Sequence, residues 1–281
     1  MPSLITTTAA IRQQIRDWRA AGLTTALVPT MGGIHAGHLV LMDAAHQMAD
    51  KVVVSIYVNP TQFAVGEDFD RYPRQMTADC DAIGTRADCV FAPATLYTET
   101  HATMVTPAGA ALGLEAEHRP HFFAGVATIV LKLFNQMPVD VAVFGEKDFQ
   151  QLAVIKQMVR DLDLPIEIIG HPTIRDSDGL ALSSRNAYLT PQERPIAAQL
   201  YQTLTGCAAA ITAGASMAPT LAMAQDELIH AGFTMVDYLT ICDSLNLAPI
   251  TDLSGPARLL VAARLGDVRL LDNILVEKLN A

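Results

Sequence analysis

Two histidines stand three residues apart in a glycine-rich stretch near the start of the chain, residues 28–38 (VPTMGGIHAGH). The stretch follows a short apolar run and opens a helical pattern, so His35 and His38 are predicted to share a face of the first helical turn. Imidazoles at a helix N-terminus can donate hydrogen bonds to phosphate oxygens as charge builds on phosphorus. A metal-binding pair or a structural hydrogen bond are the alternatives. The strand–glycine–histidine–helix order favours phosphate chemistry.

Uncharged amides follow the next strand-like run, in residues 58–63 (VNPTQF). Ligands of open α/β sheets bind at the carboxyl ends of the strands, and the side chains of Asn59 and Gln62 suit hydroxyls or a carboxylate. The alternative is an Asn-Pro turn with a solvated Gln62.

A third stretch, residues 144–151 (FGEKDFQQ), again passes from a strand through glycine into a helix. Lys147 stands where a cation at a strand end reaches a phosphate, and Asp148 is a candidate helix cap or Mg²⁺ ligand. Gln151 shares a helical face with Lys147. Simple capping with a solvated Lys–Asp turn is the alternative.

Residues 178–186 (DGLALSSRN) place Ser183, Ser184 and Arg185 in succession. Two hydroxyls and a guanidinium make a suitable clamp for phosphates. A serine-rich linker is the alternative, and a loop at a domain junction is also where a closing lid lies.

The composition limits the classes of protein that fit. The 281-residue chain is 51% hydrophobic and 17% charged, enough for a sizeable core. Its apolar runs end before the roughly 20 residues that span a bilayer, and its formal charge of −10, without a basic run, disfavours a nucleic-acid partner. Its four cysteines show no C-x-x-C spacing, so we predict neither a zinc site nor a disulfide framework. We expect a cytoplasmic protein that binds neither nucleic acid nor membrane.

The elements that must position these side chains follow from periodicity. Strand-like runs at 25–28, 52–58, 88–92, 139–144 and 166–169 alternate with helical patterns at 37–48, 126–134 and 149–162. Such alternation predicts an α/β fold with a buried, Rossmann-like parallel sheet. Later, two Ala-rich helices at 191–211 and 218–231 precede strands at 235–241 and 259–263, which predicts a smaller α+β domain. We predict that these two domains span residues 1–177 and 178–281.

With these four stretches in family order, together with RYPR at 71–74, AARLGD at 262–267 and LDN at 271–273, the chain resembles the pantothenate synthetase family from end to end. The resemblance implies ATP-dependent condensation of pantoate with β-alanine through a pantoyl-adenylate, with Mg²⁺ and release of AMP and pyrophosphate. It also implies a nucleotidyltransferase domain that binds ATP and pantoate, residues 1–177, with residues 35–38 as its HIGH-type motif. Residues 178–281 would then form a lid, and the protein would be a homodimer.

The resemblance also implies roles for individual residues. The catalytic ones would be His38, as proton donor, with His35 and Lys147. Pantoate would meet Gln62 and Gln151, with Asn59 beside them. The residues implied in ATP binding are Met31, Gly32, Gly33, Ile34, His35, Ala36, Gly37, His38, Gly145, Glu146, Lys147, Asp148, Ile174, Leu182, Ser183, Ser184 and Arg185. The metal ligands are not assigned.

One departure from the family pattern lies in residues 119–126, where Phe122 stands at the usual histidine position. His121 comes one residue earlier, about 100° around a helix axis, and neither residue is assigned a role. Two alternatives stay open: an adenylyltransferase of the same superfamily, and a nucleotide-binding module that has lost catalysis.

Overall fold

The computed structural model describes residues 1–64 and 66–277. The chain divides into two units, the first formed by Met1–Glu146 with Gln150–Pro172 and the second by Lys147–Phe149 with Thr173–Ala281. Residues 278–281 of the predicted second domain lie outside the described residues. The assignment of ATP and pantoate to one domain and of a lid to the other stays a prediction.

A six-stranded sheet forms the centre of the first unit, and all of its described pairings are parallel. This confirms the predicted parallel α/β sheet. The order across the sheet is β1-β4-β3-β2-β5-β6. The strands are β1 (Ser3–Ile5), β2 (Thr25–Thr30), β3 (Lys51–Ile56), β4 (Cys89–Phe91), β5 (Val141–Gly145) and β6 (Glu167–His171).

Helices cover both faces of this sheet. They are α1 (Thr8–Ala20), α2 (Ala36–His46), α3 (Met76–Ile83), α4 (Glu115–His118), α5 (Phe122–Gln136) and α6 (Phe149–Asp161). Alternate residues of β2 enter different cores: Leu27 packs in the core that includes α1, α5 and α6 residues, whereas Ala26 and Val28 pack in the core that includes α2 and α3 residues. Burial of both strand faces explains why the strands read as continuous apolar runs.

The strand order reverses between β2 and β5, which are neighbours through Ala26 opposite Val141 and Leu27 opposite Ala142. From β2 the chain moves outward through β3 and β4, and from β5 it moves the other way to β6. Such a switch point opens a crevice at the carboxyl ends of the two strands, where ligands of α/β sheets bind. The glycine-rich stretch follows β2, and Glu146 follows β5.

The second unit contains a three-stranded antiparallel sheet in the order β7-β8-β9, with helices packed against it, which confirms the predicted α+β architecture. Its elements are α7 (Glu193–Ala197), α8 (Gln199–Thr212), α9 (Met217–Ala231), β7 (Met235–Asp243), β8 (Ala257–Leu265) and β9 (Val268–Val276). The helix predicted at 191–211 is two helices that meet at Ala198. Strand β9 was not predicted, because Asp272 and Asn273 interrupt its apolar pattern. Across the described residues, no helix combines the length and apolar character needed to cross a bilayer.

Candidate active site

The paired histidines form the N-terminal cap of α2. His35 is the N-cap residue, and its Nδ1 accepts the N–H of Gly37 at 3.2 Å. The Nδ1 of His38 accepts the N–H of His35 at 3.4 Å, and the two ring centroids lie 4.0 Å apart. Because Nδ1 is the acceptor in both rings, each neutral imidazole carries its proton on Nε2. The cap therefore fixes both rings as Nε2–H donors.

The glycine-rich loop rests on a carboxylate that the sequence analysis missed. Asp79 of α3 is 4% exposed, and it accepts the N–H of Gly33 at 3.2 Å and of Ile34 at 2.9 Å. Gly32 and Gly33 have φ of 86° and 62°, in the region that favours glycine. A Cβ on Gly32 would lie 2.9 Å from Asp79 Oδ2. The N–H groups of Gly33 and Ile34 are thus engaged by Asp79. The side-chain hydrogen-bond donors of this loop are the two imidazoles.

The predicted amides lie together, against the same loop. The side chain of Gln62 donates from Nε2 to the sulfur of Met31 at 2.8 Å. Asn59 is 1% exposed, and its Nδ2 donates to Gln62 Oε1 at 3.1 Å and to the carbonyl of Gly125 at 3.2 Å. The hydroxyl of Tyr97 donates to Asn59 Oδ1 at 2.9 Å, and burial raises the pKa of this phenol, so it stays protonated. Asn59 therefore lies behind Gln62 and orients it.

The Gln62 segment is also held by Arg119, which follows α4, and lies close to Gly125 of α5. Arg119 donates to the carbonyl of Gln62 at 3.0 Å and pairs with Glu67 at 2.7 Å. A Cβ on Gly125 would overlap the carbonyl oxygen of Thr61 and lie 2.9 Å from the nitrogen of Gln62. Any larger residue at 125 would therefore displace the backbone of Thr61 and Gln62.

Phe122, which stands at the histidine position of the family pattern, packs against Arg119. The guanidinium of Arg119 lies 3.9 Å from the centroid of the Phe122 ring, a cation–π arrangement. His121 is the exposed residue before α5 and makes no side-chain capping bond. The aromatic ring thus stabilises the arginine that holds Gln62.

The two glutamines at the start of α6 have different surroundings. Gln150 is buried, donates to the carbonyl of Ala110 at 3.0 Å and accepts the N–H of Glu115 at 3.0 Å. Gln151, the residue predicted to bind pantoate, is half-buried. Gln150 therefore has a structural role in the first unit, and Gln151 is the less buried of the two.

Three of the predicted phosphate-clamp residues of the second unit line one pocket, and Ser184 is not among its lining residues. Lys147, Ser183 and Arg185 are among its lining residues, together with Asp272 and Arg269. Arg269 was not predicted from the sequence, and its Nε pairs with Asp237 at 2.6 Å. Three cations around one pocket suit a polyanion such as a phosphate chain.

Local bonds shape the two segments that reach this pocket. The Lys147 ammonium lies 3.4 Å from Asp148 Oδ1, with the lysine side chain 20% exposed and the aspartate 45%. Ser183 caps the short 3-10 turn Ser184–Tyr188 by accepting the N–H of Arg185 at 3.3 Å. The N–H of Leu182 donates to the carbonyl of Ile174 at 2.9 Å, so these two predicted residues are neighbours.

Neither thiol chemistry nor a protein-only metal centre is indicated in the described part of the chain. Burial raises the pKa of Cys89 to about 12 and the pKa values of Cys207 and Cys242 to about 11, so these thiols stay protonated at neutral pH. Among the described residues, no three His, Cys, Asp or Glu side chains come together in a way that would hold a metal ion.

Comparison with known proteins gives matches over nearly the whole chain. The family model for pantoate-beta-alanine ligase matches residues 3–275. The pantothenate synthetase of Paramagnetospirillum magneticum is 52% identical over 278 residues, which cover 98% of each chain. The structure of pantoate-beta-alanine ligase from Thermus thermophilus has a TM-score of 0.90 at 42% identity, covering 98% of this chain and 99% of that one. The pantoate-beta-alanine ligase of Francisella tularensis, complexed with beta-gamma ATP and beta-alanine, has a TM-score of 0.81 at 31% identity and covers 98% of each chain.

Proposed function

The chain belongs to the pantoate–β-alanine ligase family, and we propose that it condenses pantoate with β-alanine in two steps, with ATP cleaved to AMP and pyrophosphate. The product is pantothenate. The observation that carries the proposal is the histidine cap at the switch point of the sheet, where both imidazoles accept backbone N–H groups at Nδ1. The Francisella relative with beta-gamma ATP and beta-alanine supports the choice of substrates.

The first step is attack of the pantoate carboxylate on the α-phosphorus of ATP, which forms pantoyl-adenylate and expels pyrophosphate. A carboxylate is already ionised at neutral pH, so no general base is needed. His35 and His38 donate from Nε2 to phosphate oxygens as negative charge builds on them. The loop of residues 31–38 contacts ATP around these two donors.

Pantoate is held by amides rather than by charge. Gln62 and Gln151 suit its hydroxyls and carboxylate, and Asn59 acts by fixing Gln62 in place. Because Asn59 and Met31 already bond the Gln62 side chain, its orientation is set before substrate arrives. A pre-set amide lowers the entropy cost of aligning the attacking oxygen.

The second unit supplies the clamp for the phosphates. Lys147, Ser183 and Arg185 line its pocket; with Gly145, Glu146, Ser184, Ile174 and Leu182 they complete the proposed nucleotide contacts. Mg²⁺ is commonly held by one or two carboxylates plus phosphate oxygens, and Asp148, half-exposed beside Lys147, fits that donor set. When bound, the ion neutralises charge on the phosphates.

In the second step the β-alanine amine attacks the carbonyl of the mixed anhydride, an amide forms and AMP leaves. The amine must lose a proton to complete this step. With Nδ1 bonded to backbone N–H and Nε2 carrying a hydrogen, neither histidine offers a lone pair in the arrangement seen here. The departing AMP phosphate, whose second pKa is about 6, is the base in this proposal.

A reconstitution experiment tests the function. Purified protein is incubated with ATP, Mg²⁺, pantoate and β-alanine, and AMP and pantothenate are quantified with each component omitted in turn. We expect both products in equal amounts only in the complete mixture. ATP binding without AMP formation in any mixture would overturn the proposal and leave a nucleotide-binding module.

The proposal also includes the oligomeric state of the protein and its location in the cell. The sequence resemblance to the family supports a cytoplasmic homodimer. Light scattering after size-exclusion chromatography would give about twice the chain mass of 30.2 kDa for a dimer. A mass equal to one chain at micromolar concentration would contradict it.

A further inference from the structure

The Leu-Asp-Asn motif near the C-terminus has no role in the proposed chemistry, yet it places two polar side chains in the interior of the second unit. Asp272 and Asn273 are adjacent on β9, and each is 3% exposed. Buried polar groups are costly unless hydrogen-bonded. Their partners therefore indicate what the motif is for.

Asp272 holds the backbone that leads into the serine-rich turn. Its carboxylate accepts two bonds from Arg175, at 2.6 and 2.8 Å. The same guanidinium donates to the carbonyl of Gly179 at 3.0 Å and lies 3.9 Å from the centroid of the Tyr201 ring. Arg175 also bridges to Ala181 across a tight hairpin. This hairpin runs directly into Ser183, so Asp272 fixes where the turn begins.

Asn273 holds the backbone of the other phosphate-clamp segment. Its Nδ2 donates to the carbonyl of Lys147 at 2.8 Å. Its Oδ1 accepts from Arg258 at 2.7 Å, and that guanidinium lies 3.9 Å from the centroid of the Phe149 ring. Both ends of the amide are thus engaged, which sets its orientation.

The two anchors are also joined to each other. Arg175, which Asp272 binds through two bonds, donates in addition to the carbonyl of Asn273 at 3.2 Å. Lys147, Ser183 and Asp272 line one pocket. Asp272 and Asn273, which are consecutive on β9, therefore bond to both chain segments that line this pocket.

We propose that Asp272 and Asn273 form a single positioning device that sets the distance between Lys147 and the Ser183–Arg185 turn around their shared pocket. This inference rests on the proposed function, in which both segments hold the phosphates of ATP. Lysine has a long flexible side chain, so fixing its backbone carbonyl limits where the ammonium reaches. Asp272 and Asn273 are bonded to Arg175 and to the Lys147 carbonyl, so they act through the groups that they hold.

The test is Asn273→Asp, which keeps the oxygen that accepts from Arg258 but places a carboxylate oxygen against the Lys147 carbonyl. Pantoate-dependent exchange of pyrophosphate into ATP reports adenylate formation, and reaction of preformed pantoyl-adenylate with β-alanine reports the second step. We expect the exchange rate to fall about 10–100-fold, because small displacements of positioned groups have effects of that size. The second step should stay close to that of the unmodified protein.

Asp243→Ala is the matched control. Asp243 ends β7 and accepts the N–H groups of Leu245 and Asn246 at 2.8 and 3.0 Å, so its replacement weakens the same sheet without touching either segment. We expect comparable loss of thermal stability and unchanged rates for both steps. Equal slowing of both steps in Asn273→Asp, or the same kinetics in the two variants, would overturn the positioning role.

Asp272→Asn gives a second test if Asn273→Asp does not fold. It keeps one acceptor oxygen for Arg175, and we expect the same selective loss of exchange, about 3–10-fold. Normal exchange in this variant would contradict the proposal. Failure of the proposed function would be seen separately, as absence of exchange in the unmodified protein.

Discussion

Two regions are assigned to phosphate binding, and they are held in place in different ways. In the glycine-rich loop of the first unit, His35 and His38 are oriented by bonds between residues two or three apart. In the second unit, the bond to the Lys147 carbonyl comes from Asn273, 126 residues later. The first region is a local motif supported by one remote carboxylate, Asp79. The second exists only once β9 has been placed in its sheet.

This difference indicates which substitutions should impair each region. A helix cap forms with its helix, so the donor atoms of the first region are set by a few neighbouring residues. The pocket of the second unit depends on hydrogen bonds between residues far apart in sequence. A substitution that breaks one of these bonds displaces the phosphate-binding residues without altering them. Removing the chemical groups should therefore have the largest effects, and removing their supports smaller ones.

The largest effect is expected from Lys147→Ala, which takes the ammonium from the phosphate clamp. Adenylate formation should fall about 10²–10³-fold, as when a single donor to a developing charge is removed. Pyrophosphate exchange at saturating ATP measures it. Lys156→Ala, an exposed lysine on α6, is the control and should have no effect. Near-normal exchange in a folded Lys147→Ala protein would remove this residue from the chemistry.

A pair of His38 variants separates capping from catalysis in the first region. His38→Asn retains an acceptor near Nδ1 for the His35 N–H but lacks the donor at Nε2, so the fold should persist while adenylate formation drops about 10²-fold. His38→Gln brings an amide N–H near the Nε2 position and should recover part of the rate. If His38→Asn is the faster of the two, the histidine serves as a cap and not as a donor.

A smaller effect is expected from Gly125→Ala, which acts on the support of Gln62. The added methyl meets the Thr61 carbonyl and lies 2.9 Å from the Gln62 nitrogen, and such overpacking costs about 1–3 kcal/mol. The KM for pantoate should rise because Gln62 shifts, while urea unfolding reports the lost stability.

Gly206→Ala is the matched control for that substitution. Gly206 lies inside α8, and a Cβ there meets nothing within 4 Å, so alanine should stabilise the protein by about 0.5–1 kcal/mol. A normal KM for pantoate in Gly125→Ala would show that Gln62 does not bind this substrate or has not moved.

The smallest effect concerns a local ion pair of the second unit. Hydrogen bonds from Arg194 lower the pKa of Asp178, and the two side chains are paired at 2.6 Å. Because the folded pKa is depressed, the stabilisation is present above the unfolded value of about 3.9 and is lost as pH falls through the folded pKa. Arg194→Gln should therefore lower Tm at pH 6 by the equivalent of about 0.2–1 kcal/mol, as for exposed pairs.

The pH dependence provides the check. The difference in Tm between the unmodified protein and Arg194→Gln should shrink as pH is lowered from 5 to below about 3. Arg160→Gln, which removes a more exposed pair with Asp161, should leave Tm unchanged at every pH. A difference for Arg194→Gln that stays constant with pH would show that the pair contributes through packing and not through charge.

Much of the fold could be predicted because its signals are local. The strands predicted at 25–28 and 52–58 are observed at Thr25–Thr30 and Lys51–Ile56, and the predicted helices at 37–48 and 149–162 are present with shifted ends. A buried strand reads as an apolar run and a helix as a 3.6-residue period, and both depend only on near neighbours. The glycine–histidine cap belongs to the same class, since its bonds span two or three residues.

The residues that pack against these strands, helices and caps are known only from the tertiary structure. Three residues lie far in sequence from the groups beside them. They are Asp79 beneath the glycine-rich loop, Arg269 in the pocket and Asn273 beside Lys147. Their roles depend on strand order and register, which no short stretch of sequence specifies. For the same reason β9 was missed: its two central polar residues resemble a loop until Arg175, Arg258 and the Lys147 carbonyl supply their hydrogen bonds. The amino-acid sequence determined which groups can do the chemistry, and long-range packing determined what holds them.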